Sequence, residues 1–251
     1  MRVCLDYFHQ KIGKLPQNEM NVVVASLPLP VDYMSGTPRL AVTSTRGPGP
    51  PSVSAGKDWG MFEGMFWHYW FLKSVRYESQ GDSDRAWWFG EGVSPFFLYP
   101  VYEKIGAAQN VAQAWDFSRK ELTWENWYLI YERYRETKYN IALIDYPAKS
   151  RETSDVQYYF PLPYMKGSLV LHLLDASIKE ATGGARDITD VVRYLYENFV
   201  LRGIGYKVED ILRITNEIAG SDYTAFFKAY VYGNESLPIT TAGQDLSLIH
   251  I

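Results

Sequence analysis

Cysteine is almost missing from these 251 residues: Cys4 stands alone, which excludes an internal disulfide and any cysteine-based zinc knuckle. On its amphipathic segment, with no base nearby in sequence, it reads as a structural thiol. Histidine is nearly as scarce, with His9, His68, His172 and His250 forming the whole imidazole supply. No apolar run approaches the ~20 residues of a membrane-spanning helix, and the longest, Met65 to Leu72, is interrupted by His68. No signal-peptide pattern follows Met1; the compartment stays open, with the cytoplasm favoured. Positive charge is in deficit: the formal net charge is -4 and the pI near 5.6, which argues against a nucleic-acid partner. The Gly-x-Ser-x-Gly nucleophile elbow is absent. The Gly/Pro-rich run 47–56 lacks both the strand–loop–helix frame and the Lys-Ser/Thr ending of a phosphate-binding loop.

What is present is a globular composition, 47% apolar and 22% charged, which excludes a disordered chain. The length allows one or two domains, and no shift in composition marks a second. Val3 to Ile12 is amphipathic and stops at Gly13 and Pro16. Asn21–Ser26 and Arg39–Ser44 are β-branched runs between turn residues and read as strands. From Asp58 onward, apolar spacing predicts helices over 58–78, 85–106, 109–137, 163–181, 188–201, 207–219 and 222–232. Pro163 suits a first helical turn, Gly183-Gly184 a left-handed helix end, and Asp187 with Asp190 an N-terminal cap, as does Ser221-Asp222. The expected fold is mostly α with a small N-terminal β element. His172, within an apolar helical run, reads as a satisfied core or helix-surface histidine, and Arg119, Lys120, Arg133 and Arg135 as a solvated helix face.

Four motifs carry chemistry. Gly64-Met65-Phe66-Trp67-His68-Tyr69-Trp70-Phe71 is followed, 23 residues after His68, by Glu91 in Trp88-Phe89-Gly90-Glu91-Gly92. Then come Pro163-Tyr164-Met165-Lys166-Gly167-Ser168-Leu169, and Gly205 to Ile211 with Ala219 to Asp222 and Gly233 to Pro238. A hydrolytic zinc site takes three protein ligands and keeps one position for water. Two histidines four residues apart share a helix face, because four residues turn about 400°.

In this order the motifs resemble the gluzincin metallopeptidases, closest to the glycyl aminopeptidase family and related to the membrane alanyl aminopeptidases. His68-Tyr69-Trp70-Phe71 is similar to the tail of the His-Glu-x-x-His helix, and Trp88–Gly92 to the segment that supplies the third zinc ligand. Tyr164 matches the tyrosine that stabilises the tetrahedral intermediate. The resemblance covers residues 3 to 238. It implies a thermolysin-like (gluzincin) catalytic domain over 1–238, zinc as cofactor if active, His68 and Glu91 as metal ligands and Tyr164 as a catalytic residue. Residues 239–251 are a tail whose last six read like a sequencing adapter, so a metagenomic fragment with missing flanking domains is expected.

The departures bear on function. The first-ligand position holds Gly64 and the catalytic-base position Met65, so one ligand and the base are missing; Glu63 lies off register. Asp32–Gly36 also lacks the amine-binding glutamate of such aminopeptidases, and the long His68–Glu91 spacing predicts a loop at Gly81–Asp84. His68 and Glu91 alone also read as a hydrogen-bonded pair without metal, and Tyr164 as a pocket-lining tyrosine. The favoured reading is a pseudopeptidase that keeps a cleft for a peptide or protein partner. The alternatives are an active zinc aminopeptidase with an altered metal site and a structural support for further domains.

Overall fold

The computed structural model describes residues 2–14, 21–26, 34–37, 40–45, 75–109, 124–152, 154–159 and 161–239. Gly64, Met65 and His68 lie outside these described residues, as do Arg119, Lys120 and the tail from 240. The architecture is mostly helical. Helix α1 spans Arg2–Lys11. Three short strands follow, β1 (Asn21–Ser26), β2 (Met34–Thr37) and β3 (Leu40–Thr45), in the order β1-β3-β2. β1 pairs parallel to β3, and β2 antiparallel to it. The helices are α2 (Gln80–Gln109), α3 (Trp124–Tyr134), α4 (Tyr146–Arg151), α5 (Val156–Tyr159), α6 (Pro161–Ala181), α7 (Ile188–Asn198), α8 (Val208–Ala219) and α9 (Thr224–Tyr230).

α6 is the centre of the helical body. Leu162, Met165, Leu169, Val170, Leu171, Leu174 and Ile178 are all inaccessible to solvent, so its apolar residues cover nearly the whole circumference, as a helix surrounded by neighbours requires. α2 packs against it, and Ala86, Trp88, Phe89, Val93 and Phe97 of α2 are buried in the same core. The aromatic core continues edge-on from Trp88 to Phe89 and Phe227, and from Phe89 to Tyr206.

Local signals account for the helix ends. Asp187 Oδ1 accepts from Thr189 N at 2.7 Å, and Asp190 Oδ2 from Asp187 N at 3.1 Å, a reciprocal cap on α7. α6 ends at Gly183 and Gly184, whose φ of 60° and 82° suit residues without a Cβ. Asp222 Oδ1 accepts from Thr224 N at 2.9 Å at the start of α9. His172 is half-buried, and burial lowers its pKa, so it packs as a neutral imidazole.

Three expectations need correction. Gly81–Asp84 is the first turn of α2 rather than a loop: Ser79 Oγ accepts from Asp82 N at 3.1 Å and donates to Asp82 Oδ2 at 2.8 Å, and Arg151 holds Asp84. The helix expected over 58–78 does not extend through 75–78, because Arg76 bridges instead to 203–205, donating to Gly203 O at 2.9 Å and accepting from Gly205 N at 2.8 Å. The long helix expected over 109–137 ends at Tyr134. Thr137 N then turns back to Tyr134 O at 2.9 Å, which puts half-buried Arg135 in a turn beside Glu132 and Glu136.

The N-terminal segment docks on α7. Arg193 donates to Lys11 O and Tyr196 to Lys14 O, both at 2.6 Å, while Phe8 packs edge-on against Tyr196.

Candidate functional site

Glu91 sits in the middle of α2, 1% exposed, and Tyr164 in the first turn of α6. Two glycines let these helices meet. A Cβ on Gly92 would lie 2.7 Å from the carbonyl carbon of Gly167, and one on Gly167 would lie 2.9 Å from Trp88 O. The backbones therefore touch where any side chain would hold them apart, one residue after Glu91 and three after Tyr164. Across this crossing the Tyr164 hydroxyl donates to the Glu91 carboxylate. Burial first, then the Glu91 charge, hold the phenol protonated far above the ordinary tyrosine range. Pro95 stands four residues after Glu91 and has no N–H to give back to the Glu91 carbonyl, a local defect in the α2 ladder beside the site.

Two further phenols feel the same carboxylate: Tyr206, from the Gly205–Ile211 motif, and Tyr146, which was not singled out in the sequence. Tyr146, the first residue of α4, has its pKa raised by burial and by Glu91. Tyr206 is fully buried against Tyr77 and also feels the Glu91 charge. The only sequence signal for Tyr146 was a high tyrosine content, which does not say which rings converge.

Of the expected site residues, Glu91 and Tyr164 are brought together directly, whereas His68 lies outside the described residues. No group of three or more His, Cys, Asp or Glu side chains gathers among the described residues. Glu91 is the one described member of the expected ligand set, and it accepts from the Tyr164 hydroxyl.

Lys166, within the Tyr-x-Lys-Gly motif, is buried on the other side of α6. Its Nζ donates to Asn234 Oδ1 at 2.8 Å and to Ile141 O at 3.3 Å, and Asn234 Nδ2 donates to Asn140 O. The ammonium ties the Gly233–Pro238 segment and the chain before α4 to the site helix. Burial lowers its pKa from 10.5 to about 8.

No protein-family model matches the chain, and no curated protein matches it. Its fold is similar to the crystal structure of an aminopeptidase N family protein from Idiomarina loihiensis, with a TM-score of 0.62 at 14% sequence identity. The similarity covers 94% of this chain and 42% of that one, so the chain spans less than half the length of its structural neighbour. The chain therefore shares its fold with part of an aminopeptidase N family protein.

Proposed function

We propose that this chain is a gluzincin-type aminopeptidase domain, nearest to the glycyl aminopeptidases, that has lost zinc-dependent hydrolysis and keeps a cleft for a peptide or protein partner. Residues 1–238 form the domain, the strands β1–β3 are its small N-terminal sheet, and the last six residues are foreign to it. One observation carries the reading: Glu91, the carboxylate that the resemblance assigns to zinc, accepts the hydroxyl of the tyrosine assigned to the transition state. The two residues are hydrogen-bonded to each other, while Gly64 and Met65 offer neither the first ligand nor a base. The peptide would lie along the Glu91–Tyr164 floor.

The purified protein should carry less than about one-tenth equivalent of zinc after dialysis against a weak chelator, since a hydrolytic site takes three protein ligands. Stoichiometric zinc measured by atomic emission would replace this reading with an active enzyme using an altered site.

Tyr164→Phe should weaken binding of a short peptide about fivefold, the equivalent of one net hydrogen bond near 1 kcal/mol. Calorimetric titration of wild type and variant checks it. A variant that instead loses a measurable turnover while binding is kept would point to the hydroxyl acting on a developing oxyanion.

A further inference from the structure

We propose that α4 is a latch over the Glu91–Tyr164 pair, held shut by the ion pair between Asp84 and Arg151. The proposal rests on reading that pair as the floor of a cleft. Glu91 is 1% exposed and Tyr146 only 8%, so a ligand reaches the carboxylate only after one of its walls moves. Two of those walls, α2 and α6, are packed through the core. A further described wall is α4, six residues long, with Ala148, Lys149 and Arg151 exposed.

α4 and α2 pack together. At the start of α4 Tyr146 feels the Glu91 charge, and at its last residue Arg151 grips Asp84 with both guanidinium nitrogens, Nη1 to Oδ1 at 3.0 Å and Nη2 to Oδ2. Asp84 and Glu91 are seven residues apart on α2, about 10 Å along its axis, and Tyr146 and Arg151 are five apart on α4. The short helix therefore lies alongside two turns of α2 in the opposite direction, with one end on the site and the other on the clasp. Asp84 is 8% exposed and takes a second bond from Gln80 Nε2 at 2.8 Å, so the carboxylate half of the clasp is fixed. The Arg151 side chain is 55% exposed, so the guanidinium half is the one that lets go. A bidentate guanidinium–carboxylate pair sets orientation as well as attraction. Losing it leaves a buried Asp84 carboxylate that draws water in. Arg151 is thus a positioning residue, acting on Glu91 through Tyr146.

The test reads access to Glu91 without any peptide. Carbodiimide coupling of glycine ethyl ester to carboxylates, mapped by mass spectrometry, is compared in wild type, Arg151→Gln and Arg151→Lys. Glu91 labelling should speed up roughly three- to tenfold in Arg151→Gln, as expected when a local opening loses a charged pair. Arg151→Lys, which keeps the charge, should recover part of the protection, while exposed Glu209 labels equally in all three. Equal Glu91 rates in wild type and Arg151→Gln would overturn the latch. So would a Glu91 rise matched by equally faster amide exchange throughout α8, which would mark global loosening. If Arg151→Gln does not fold, wild type in low salt and in about 1 M salt decides the matter: screening should raise Glu91 labelling, and salt-independent rates would overturn the proposal. Opening at Glu91 in a protein that binds no peptide would keep the latch and remove the binding reading.

Discussion

Gly92→Ala should destabilise the protein by about 2 kcal/mol, although alanine is the better helix former by ~1 kcal/mol. The added Cβ would fall 2.7 Å from a backbone carbon and 3.0 Å from a backbone oxygen of Gly167. Neither atom belongs to a flexible side chain, so the whole of α2 or α6 must shift. Overpacking of a closed core costs about 1–3 kcal/mol and more where backbone is the obstacle, which outweighs the gain in propensity. Gly167→Ala should act in the same direction, with its Cβ 2.9 Å from Trp88 O. The shift also separates Tyr164 from Glu91, so the two effects appear together as a lower urea midpoint and a Tyr164 phenol that titrates nearer the ordinary value. A midpoint raised by either substitution, as at an exposed helical glycine, would show that the helices do not cross here.

Stability should climb with pH above neutrality and then collapse. Lys166 has a folded pKa of about 8 against 10.5 when unfolded, so between those values the unfolded chain binds the extra proton and stability rises with pH. By pH 9.5 the gain is about 2 kcal/mol, on the basis of ~1.4 kcal/mol per unit. The tyrosines work in the opposite sense. Tyr77, Tyr134, Tyr164, Tyr196 and Tyr206 all have raised pKa values because they are buried. They stay protonated in the fold after their unfolded counterparts ionise near 10, so above pH 10 each contribution is lost as the pH rises. The maximum should therefore lie at roughly pH 9–10. Denaturant unfolding from pH 7 to 11 checks this, and Lys166→Met should flatten the rising limb while leaving the falling one. A midpoint that declines steadily from pH 7 would contradict the burial of Lys166.

The helical body was legible because its signals are local. Asp187 with Asp190, the glycine pair at 183 and 184, and the apolar spacing of 207–219 each fix one element without help from the rest of the chain. Glu91 and Tyr164 were legible by resemblance, but their meeting depends on a backbone contact between Gly92 and Gly167, which are 75 residues apart. What went unread depends on tertiary partners. α4 is too short to show a period, and Tyr146 gains its meaning only from Glu91. Gly81–Asp84 was read as a loop to absorb the long His68–Glu91 spacing. The cap from Ser79 and the clasp from Arg151, 67 residues from Asp84, turn it into helix. Lys166 was quoted within a motif, yet nothing local announced that its ammonium would be buried against Asn234.

The tether between α1 and α7 also sets the order in which the protein can take shape as it is made. Lys14 O waits for the hydroxyl of Tyr196, and Lys11 O for the guanidinium of Arg193, each 182 residues further along the chain. At ~5–20 residues per second of translation, the first helix is out for about 10–40 s before its partner is synthesised. Phe8 and Ile12, which end up almost fully buried, face solvent or a chaperone for that interval. Docking of α1 is thus a late event in biogenesis, and closing so long a loop makes it slow even in the finished chain.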